Sequence, residues 1–202
     1  MEFLFALVVA FACFQVALSG DPNILSDFIV PTNLTIVNGT FFTYTGMRAL
    51  LNSSEPSTFK VTKASLAEFP ALDGQSVSFA VLQYPADSIN PPHTHPRSAE
   101  LLFLLSGTLE VGFVDTTNKL FSKVIQTGDM FVFPKGLVHY QYNSDAKNYA
   151  VAVSAFGSSS AGTVSVPTSV FTTGIYEGVL AKSFNTDVKT IEKIKAGLSQ
   201  KS

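Results

Sequence analysis

The stretch Pro92-His93-Thr94-His95-Pro96-Arg97-Ser98-Ala99-Glu100-Leu101 contains two of the three histidines in the chain and places a carboxylate at the head of an apolar run. On an extended backbone, residues i and i+2 project to one face, so the His93 and His95 imidazoles can approach the same point. A turn before Leu101 brings Glu100 back toward them. The third histidine lies in Gly128-(five residues)-Pro134-Lys135-Gly136-(two residues)-His139-(three residues)-Asn143. Taken singly, an H-x-H pair is more often a surface or turn pair, and a lone His139 on an apolar strand is more often a core histidine. All three histidines, however, fall in two glycine-bounded segments. Together with Glu100 they make a mixed nitrogen and oxygen donor set without thiolate, of a kind that suits a divalent metal ion.

Outward from these segments the chain reads as strands. Ser76 to Tyr84, Ala99 to Leu105, Thr108 to Asp115, Leu120 to Ile125, Met130 to Phe133, Val138 to Asn143 and Tyr149 to Ala155 are β-branched or aromatic runs. Ser106-Gly107, Thr127-Gly128 and Lys135-Gly136 punctuate them as turns. Closely spaced short strands of this kind predict an all-β fold, an antiparallel sandwich or barrel with its core over about residues 60–160. Phe103, Met130, Phe131, Val138 and Tyr140 are candidates for the lining of the metal pocket or for core. Residues 21–65 are turn-rich and without sustained period, which predicts an extended arm with one or two short strands. The period changes in the tail, residues 167–202, where Val188, Ile191, Ile194 and Leu198 form an apolar helical stripe. Asn185 or Thr186 is expected as its N-cap and Asp187 in its first turn. The stripe requires a partner surface, from its own barrel or from a neighbouring subunit.

The ends and the composition narrow the class. Phe3 to Leu18 is apolar apart from Gln15, and small residues and Asp21-Pro22 follow it. This predicts a secretory signal peptide over residues 1–20, leaving a mature domain of residues 21–202 with no membrane span. The single Cys of the chain, Cys13, lies in that leader, so a mature disulfide is excluded. Three N-x-S/T sequons, at Asn33, Asn38 and Asn52, are candidate glycosylation sites. With 46% hydrophobic and 14% charged residues the chain is not a disordered one. A net charge of −2 and the lack of a basic run argue against nucleic acid as a partner.

The two histidine segments resemble the paired motifs of germins and germin-like proteins in the cupin superfamily. The first motif is matched by His93, His95, Glu100 and Gly107, and the second by Gly128, Pro134, Gly136, His139 and Asn143. Asp87 stands where the first motif usually opens with glycine. Asp21-Pro22 and Asn90-Pro91-Pro92 extend the likeness to nearly the whole mature chain. One departure concerns the arm, where germins usually carry a cysteine pair. Ile29 stands at the first of those positions, and no cysteine occurs in the Phe41-Phe42-Thr43-Tyr44 region of the second.

The resemblance implies a jelly-roll β-barrel with an N-terminal arm and C-terminal α-helices, holding one Mn(2+) per chain on His93, His95, Glu100 and His139. It also implies a homo-oligomer, a hexamer built as a trimer of dimers, and a secreted glycoprotein of the apoplast or cell wall with a role in plant defence. Two activities come with the family. Superoxide dismutation needs a redox-cycling ion, an open coordination position and protons. Oxalate oxidation uses two asparagines near the metal, and here Asn90 matches one while Ala80 occupies the other. An alanine offers no hydrogen bond to a dicarboxylate, so oxalate oxidase is disfavoured. Asn90 and Asn143 are the candidate substrate-contacting or metal-supporting residues. The rival reading is a non-catalytic glycoprotein whose metal braces the barrel or anchors a small anionic ligand.

Overall fold

The computed structural model describes residues 20–199. The expected signal peptide therefore falls outside the described residues except for Gly20. Among the described residues there are ten strands: β1 Lys60–Ala64, β2 Ser78–Tyr84, β3 Ser88–Thr94, β4 Glu100–Ser106, β5 Thr108–Val114, β6 Leu120–Gln126, β7 Met130–Phe133, β8 Val138–Asn143, β9 Ala150–Phe156 and β10 Val164–Ser165. They make two five-stranded sheets, ordered β1-β2-β9-β4-β7 and β10-β3-β8-β5-β6, with the recorded pairings antiparallel. Strands that follow one another repeatedly cross between the sheets, which is the jelly-roll pattern that the resemblance implies.

Alternation along each strand decides what lies between the sheets. Ala80, Leu82 and Tyr84 of β2, Leu102 and Leu104 of β4, and Leu109 and Val111 of β5 point inward, joined by Ile125, Phe133, Ala150 and Ala152. Full burial of each such leucine or phenylalanine contributes roughly 1.5–3 kcal/mol. Between β4 and β5 the chain turns at Gly107, with φ +89°. A Cβ there would lie 2.7 Å from the Ala150 side chain and 2.8 Å from the Tyr149 carbonyl, so only glycine fits.

Strand β3 was not among the runs read from the sequence, because Ser88-Ile89-Asn90-Pro91-Pro92 has neither apolar alternation nor a full set of N–H donors. It forms because β8 and β10 flank it. Its prolines sit at a register shift between Asn90 and His93, where the sheet does without their missing donors. Asp87, at the position usually glycine, adopts φ +54°. That backbone shape is one aspartate tolerates, and Tyr142 Oη donates to its Oδ1 at 2.6 Å.

The arm is held by aromatic rings where the family's cysteine pair would stand. Phe28 meets Phe42 edge-on at 5.1 Å, Phe41 packs on Phe42 at 4.9 Å, and Tyr44 stacks on Phe69. The described part of the tail contains three helices, α1 Val166–Phe171, α2 Glu177–Ser183 and α3 Val188–Ser199. Helix α3 is the one read from its stripe, with one correction at its start. Asp187, rather than Asn185 or Thr186, caps it, accepting from Thr190 N at 2.9 Å. Ile191 is buried against Leu180 and Ala181 of α2, while Val188 and Ile194 stay exposed.

Candidate metal centre

Each of the four predicted ligands is placed by a separate feature of the backbone. Asn90 pairs with Gln141, and an unbroken register would set His93 opposite Val138, on the outer face. The shift at Pro91-Pro92 sets it opposite His139 instead. Both imidazoles then enter the barrel, with ring centres 4.2 Å apart. His95 follows just past β3, and Glu100 opens β4 in the other sheet. The cluster therefore ties the two sheets together at one end of the barrel.

The four donor atoms lie within 4.8 Å of one another, and all four residues are buried. His93 Nδ1 is 2.8 Å from the Pro91 carbonyl, His139 Nδ1 is 2.9 Å from the Leu137 carbonyl, and His95 Nδ1 contacts the Gly162 carbonyl. A carbonyl only accepts, so each Nδ1 carries its proton and each Nε2 turns inward as a lone pair. Glu100 Oε2 lies 3.1 Å from the Nε2 of both His95 and His139. Lone pairs converging on a carboxylate oxygen are reconciled either by extra protons or by a cation. The donor set fits a divalent ion of the zinc-to-manganese class.

Behind Glu100 lies a buried polar network. Ser154 Oγ donates to Oε1 at 2.6 Å, and Gln141 Nε2 approaches the same oxygen at 3.4 Å. Gln141 Oε1 in turn accepts from Asn90 Nδ2 at 2.6 Å and from Tyr84 Oη at 3.4 Å. Sequence reasoning missed Gln141, Ser154 and Tyr84. Gln141 was readable, since it lies two residues after His139 and so shares its face.

The cluster opens into a cavity of about 450 Å³. Val61, Ala80, Leu82 and Phe156 supply its apolar wall, Asn90 lies near the ligands, and Lys63 and Thr163 are at its rim. Of the five candidates for lining or core, none lines this cavity and Phe131 packs against the core. Met130 and Val138 are 57% and 37% exposed on the outer faces of their sheets. Phe103 alternates outward from Leu102 and Leu104, and Tyr140 Oη bonds Glu110 on the outer face. In β4 and β7 the inward and outward faces are both apolar, so composition alone does not separate them. Asn143, which carried a candidate supporting role, is not among the lining residues. Its amide donates to the carbonyls of Tyr84, Pro85 and Asn148.

Burial pushes the His93 imidazole down from its ordinary 6.5 to about 4, and the neighbouring His139 adds to the effect. For Glu100, burial would raise the carboxyl, but in the metal-free site the hydrogen bonds it accepts from His139 and His95, which require the extra protons on Nε2, and from Ser154 outweigh it and bring it to about 2. Both values lie below those of the unfolded chain, so the unfolded chain binds more protons in each interval. The metal-free protein should therefore lose stability on acidification, from about pH 6.5 toward 4 through His93 and from about 4.5 toward 2 through Glu100. Urea midpoints measured between pH 7 and 4 should slope more steeply for the wild type than for His93→Gln. Parallel slopes would show that His93 is not the group responsible.

Two antiparallel sheets closed around a buried group of three imidazoles and one carboxylate define a cupin-type barrel, and the cupin family matches residues 47–192. The chain is 58% identical to "Germin-like protein 9-3" of Oryza sativa subsp. japonica, across 97% of this chain and 94% of the relative. It is 38% identical to "Germin-like protein subfamily 2 member 2" of Arabidopsis thaliana, across 97% of each. A solved oxalate oxidase superposes with a TM-score of 0.78 at 31% identity, covering 90% of this chain and all of that one. The chain belongs to the germin-like proteins of the cupin family.

Proposed function

We propose that the protein is a secreted, manganese-binding germin-like glycoprotein of the plant extracellular space, with superoxide dismutase-type activity and a role in defence. The observation that carries this reading is the preset tautomer of the three imidazoles, whose Nε2 atoms face one carboxylate beside an open cavity. One manganese ion per chain would supply one-electron cycling. Two superoxide ions and two protons then give dioxygen and hydrogen peroxide. The protein's part is to hold four ligands, leave a face open to the cavity and keep Glu100 in place through Ser154 and Gln141. Ala80 on the cavity wall supports excluding oxalate oxidation, since it offers no hydrogen bond opposite Asn90.

The apolar wall and the 450 Å³ volume favour a second reading, in which the metal anchors a small carboxylic acid without catalysis. Metal analysis of the native protein beside a His93→Ala, His139→Ala variant separates the two, with dismutation assayed on both. About one manganese per chain with activity, both lost in the variant, is the expected result. Metal without activity above that of free manganese would overturn the enzymatic reading.

Secretion and glycosylation belong to the same proposal. Asn33 and Asn38 are exposed, and no helix among the described residues is long and apolar enough to cross a membrane. Asn52 closes a 3-10 turn, Gly46–Asn52. The hexameric assembly is supported by apolar surface exposed among the described residues: Leu101, Leu105, Met130 and Val132 on one sheet, and Tyr176, Val179 and Phe184 on the helical tail. A monomeric mass by light scattering would remove that part.

A further inference from the structure

We propose that Asp21 is a positioning residue for the metal centre: its carboxylate clamps the loop of residues 157–163, which orients His95 and walls the cavity. This rests on reading the four-residue group as a metal site, and on no particular activity.

The loop leaves β9 in one sheet and enters β10 in the other, passing over the open end of the barrel where the ligands lie. A glycine- and serine-rich segment, Gly157-Ser158-Ser159-Ser160-Ala161-Gly162-Thr163, has little side-chain bulk to pack and needs polar anchors to hold one shape. Asp21 supplies the anchor farthest away in sequence. Ser158 Oγ donates to its Oδ1 at 2.5 Å, and Ser159 N donates to its Oδ2 at 2.7 Å, so both carboxylate oxygens are engaged. The backbone N of Asp21 donates to Ser76 Oγ at 3.2 Å, which fixes the aspartate itself. Ser158 and Ser159 are buried, although they lie in a loop.

The remaining anchors pass the constraint to the ligand. Ser78 Oγ donates to the Ser158 carbonyl at 2.7 Å, and Leu66 N donates to that of Ser159 at 2.8 Å. Arg97 holds the carbonyls of Ser160, through its Nε, and Ala161, through its backbone N. The next carbonyl, Gly162, accepts from His95 Nδ1. It determines which His95 nitrogen faces the ion and how the ring is turned. Ser160, Ala161, Gly162 and Thr163 also line the cavity. Asp21 thus acts three residues upstream of the carbonyl that orients a ligand.

The test uses the full mature chain with Asp21→Ala, Ser158→Ala and the double variant, and with Phe42→Ala as a control that loosens the arm elsewhere. Ser158→Ala approaches the contact from the loop, leaving the expected signal-cleavage site unaltered. Amide exchange on the metal-free protein should quicken about 10-fold across residues 158–163 in each Asp21 or Ser158 variant, with the strands unchanged. Manganese(II) affinity should fall about 3- to 10-fold, less than the 10–100-fold of a direct outer-shell partner, and the manganese(II) EPR spectrum should broaden. The double variant should lose less than the sum of the two single losses, since both remove the Asp21–Ser158 bond while each also frees one other amide, Ser159 N or Ser160 N. Unchanged exchange and EPR in Asp21→Ala, additive losses in the double variant, or the same changes in Phe42→Ala would each overturn the proposal. If the wild type itself binds no manganese, the metal reading fails, and that result is distinct from unchanged loop exchange.

Discussion

Glu100→Gln is expected to release the metal while leaving the barrel folded. The substitution keeps the shape of a fully buried side chain, and its amide oxygen can still accept from Ser154 Oγ. What it removes is the only negative charge in the four-residue group. Three neutral imidazoles and a neutral amide leave a divalent cation uncompensated in a buried site, where unpaired charge is costly. Outer-shell changes typically lower affinity 10–100-fold, so loss of this first-shell charge should cost at least about 100-fold. At about 1,000 times Kd, binding adds about 4 kcal/mol to wild-type stability. For a domain of this size that is a rise in Tm of about 8–16 °C. At the same concentration the variant should gain only about 1.4 kcal/mol, or about 3–6 °C. Calorimetric melting with and without manganese(II), alongside metal content, checks both numbers. An equal shift and equal metal content in Glu100→Gln would mean that the carboxylate is not a ligand.

The four-residue group was legible from three histidines, a period of two and two glycine-bounded segments, taken together with their likeness to the paired germin motifs. The barrel was legible because its runs are apolar and its turns carry glycine; Met130–Phe133 and Val138–Asn143 have the bounds read from the sequence. Strand β3 was hidden because tertiary pairing, not local propensity, makes it extended. Its Pro91-Pro92 shift decides the face of His93, yet a register shift leaves no trace in a hydrophobic pattern. The five candidates for lining or core were left undivided for a related reason. Both faces of the first sheet are apolar, so Met130 and Val132 outside look in sequence like Leu102 and Leu104 inside. The Asp21–Ser158 and His95–Gly162 contacts join residues more than sixty positions apart, a separation at which single-sequence reading has no signal.

Asn143→Ala should be among the most destabilising single changes in the protein, without acting at the metal. Asn143 is fully buried, and its Nδ2 lies 3.1 Å from the Tyr84 carbonyl, 3.1 Å from that of Pro85 and 2.8 Å from that of Asn148. Its Oδ1 also accepts from Asp145 N at 3.2 Å. One side chain thus joins the end of β2, the end of β8 and the loop before β9. Truncation leaves one buried carbonyl, two part-buried carbonyls and a part-buried amide short of partners, at up to about 1–3 kcal/mol each. Relaxation and water entry will recover part of that, for a net loss of about 3–5 kcal/mol out of a typical 5–15. The corresponding fall in Tm is about 6–20 °C. Asn143→Asp should be worse than alanine despite its closer shape, because a carboxylate directs negative charge at three carbonyls and donates to none. At temperatures where the variants remain folded, manganese content should stay near the wild-type level, since the four ligands keep their own anchors. A loss below about 1 kcal/mol for alanine, or aspartate tolerated better than alanine, would contradict this account. Metal loss without loss of stability would instead assign Asn143 to the site.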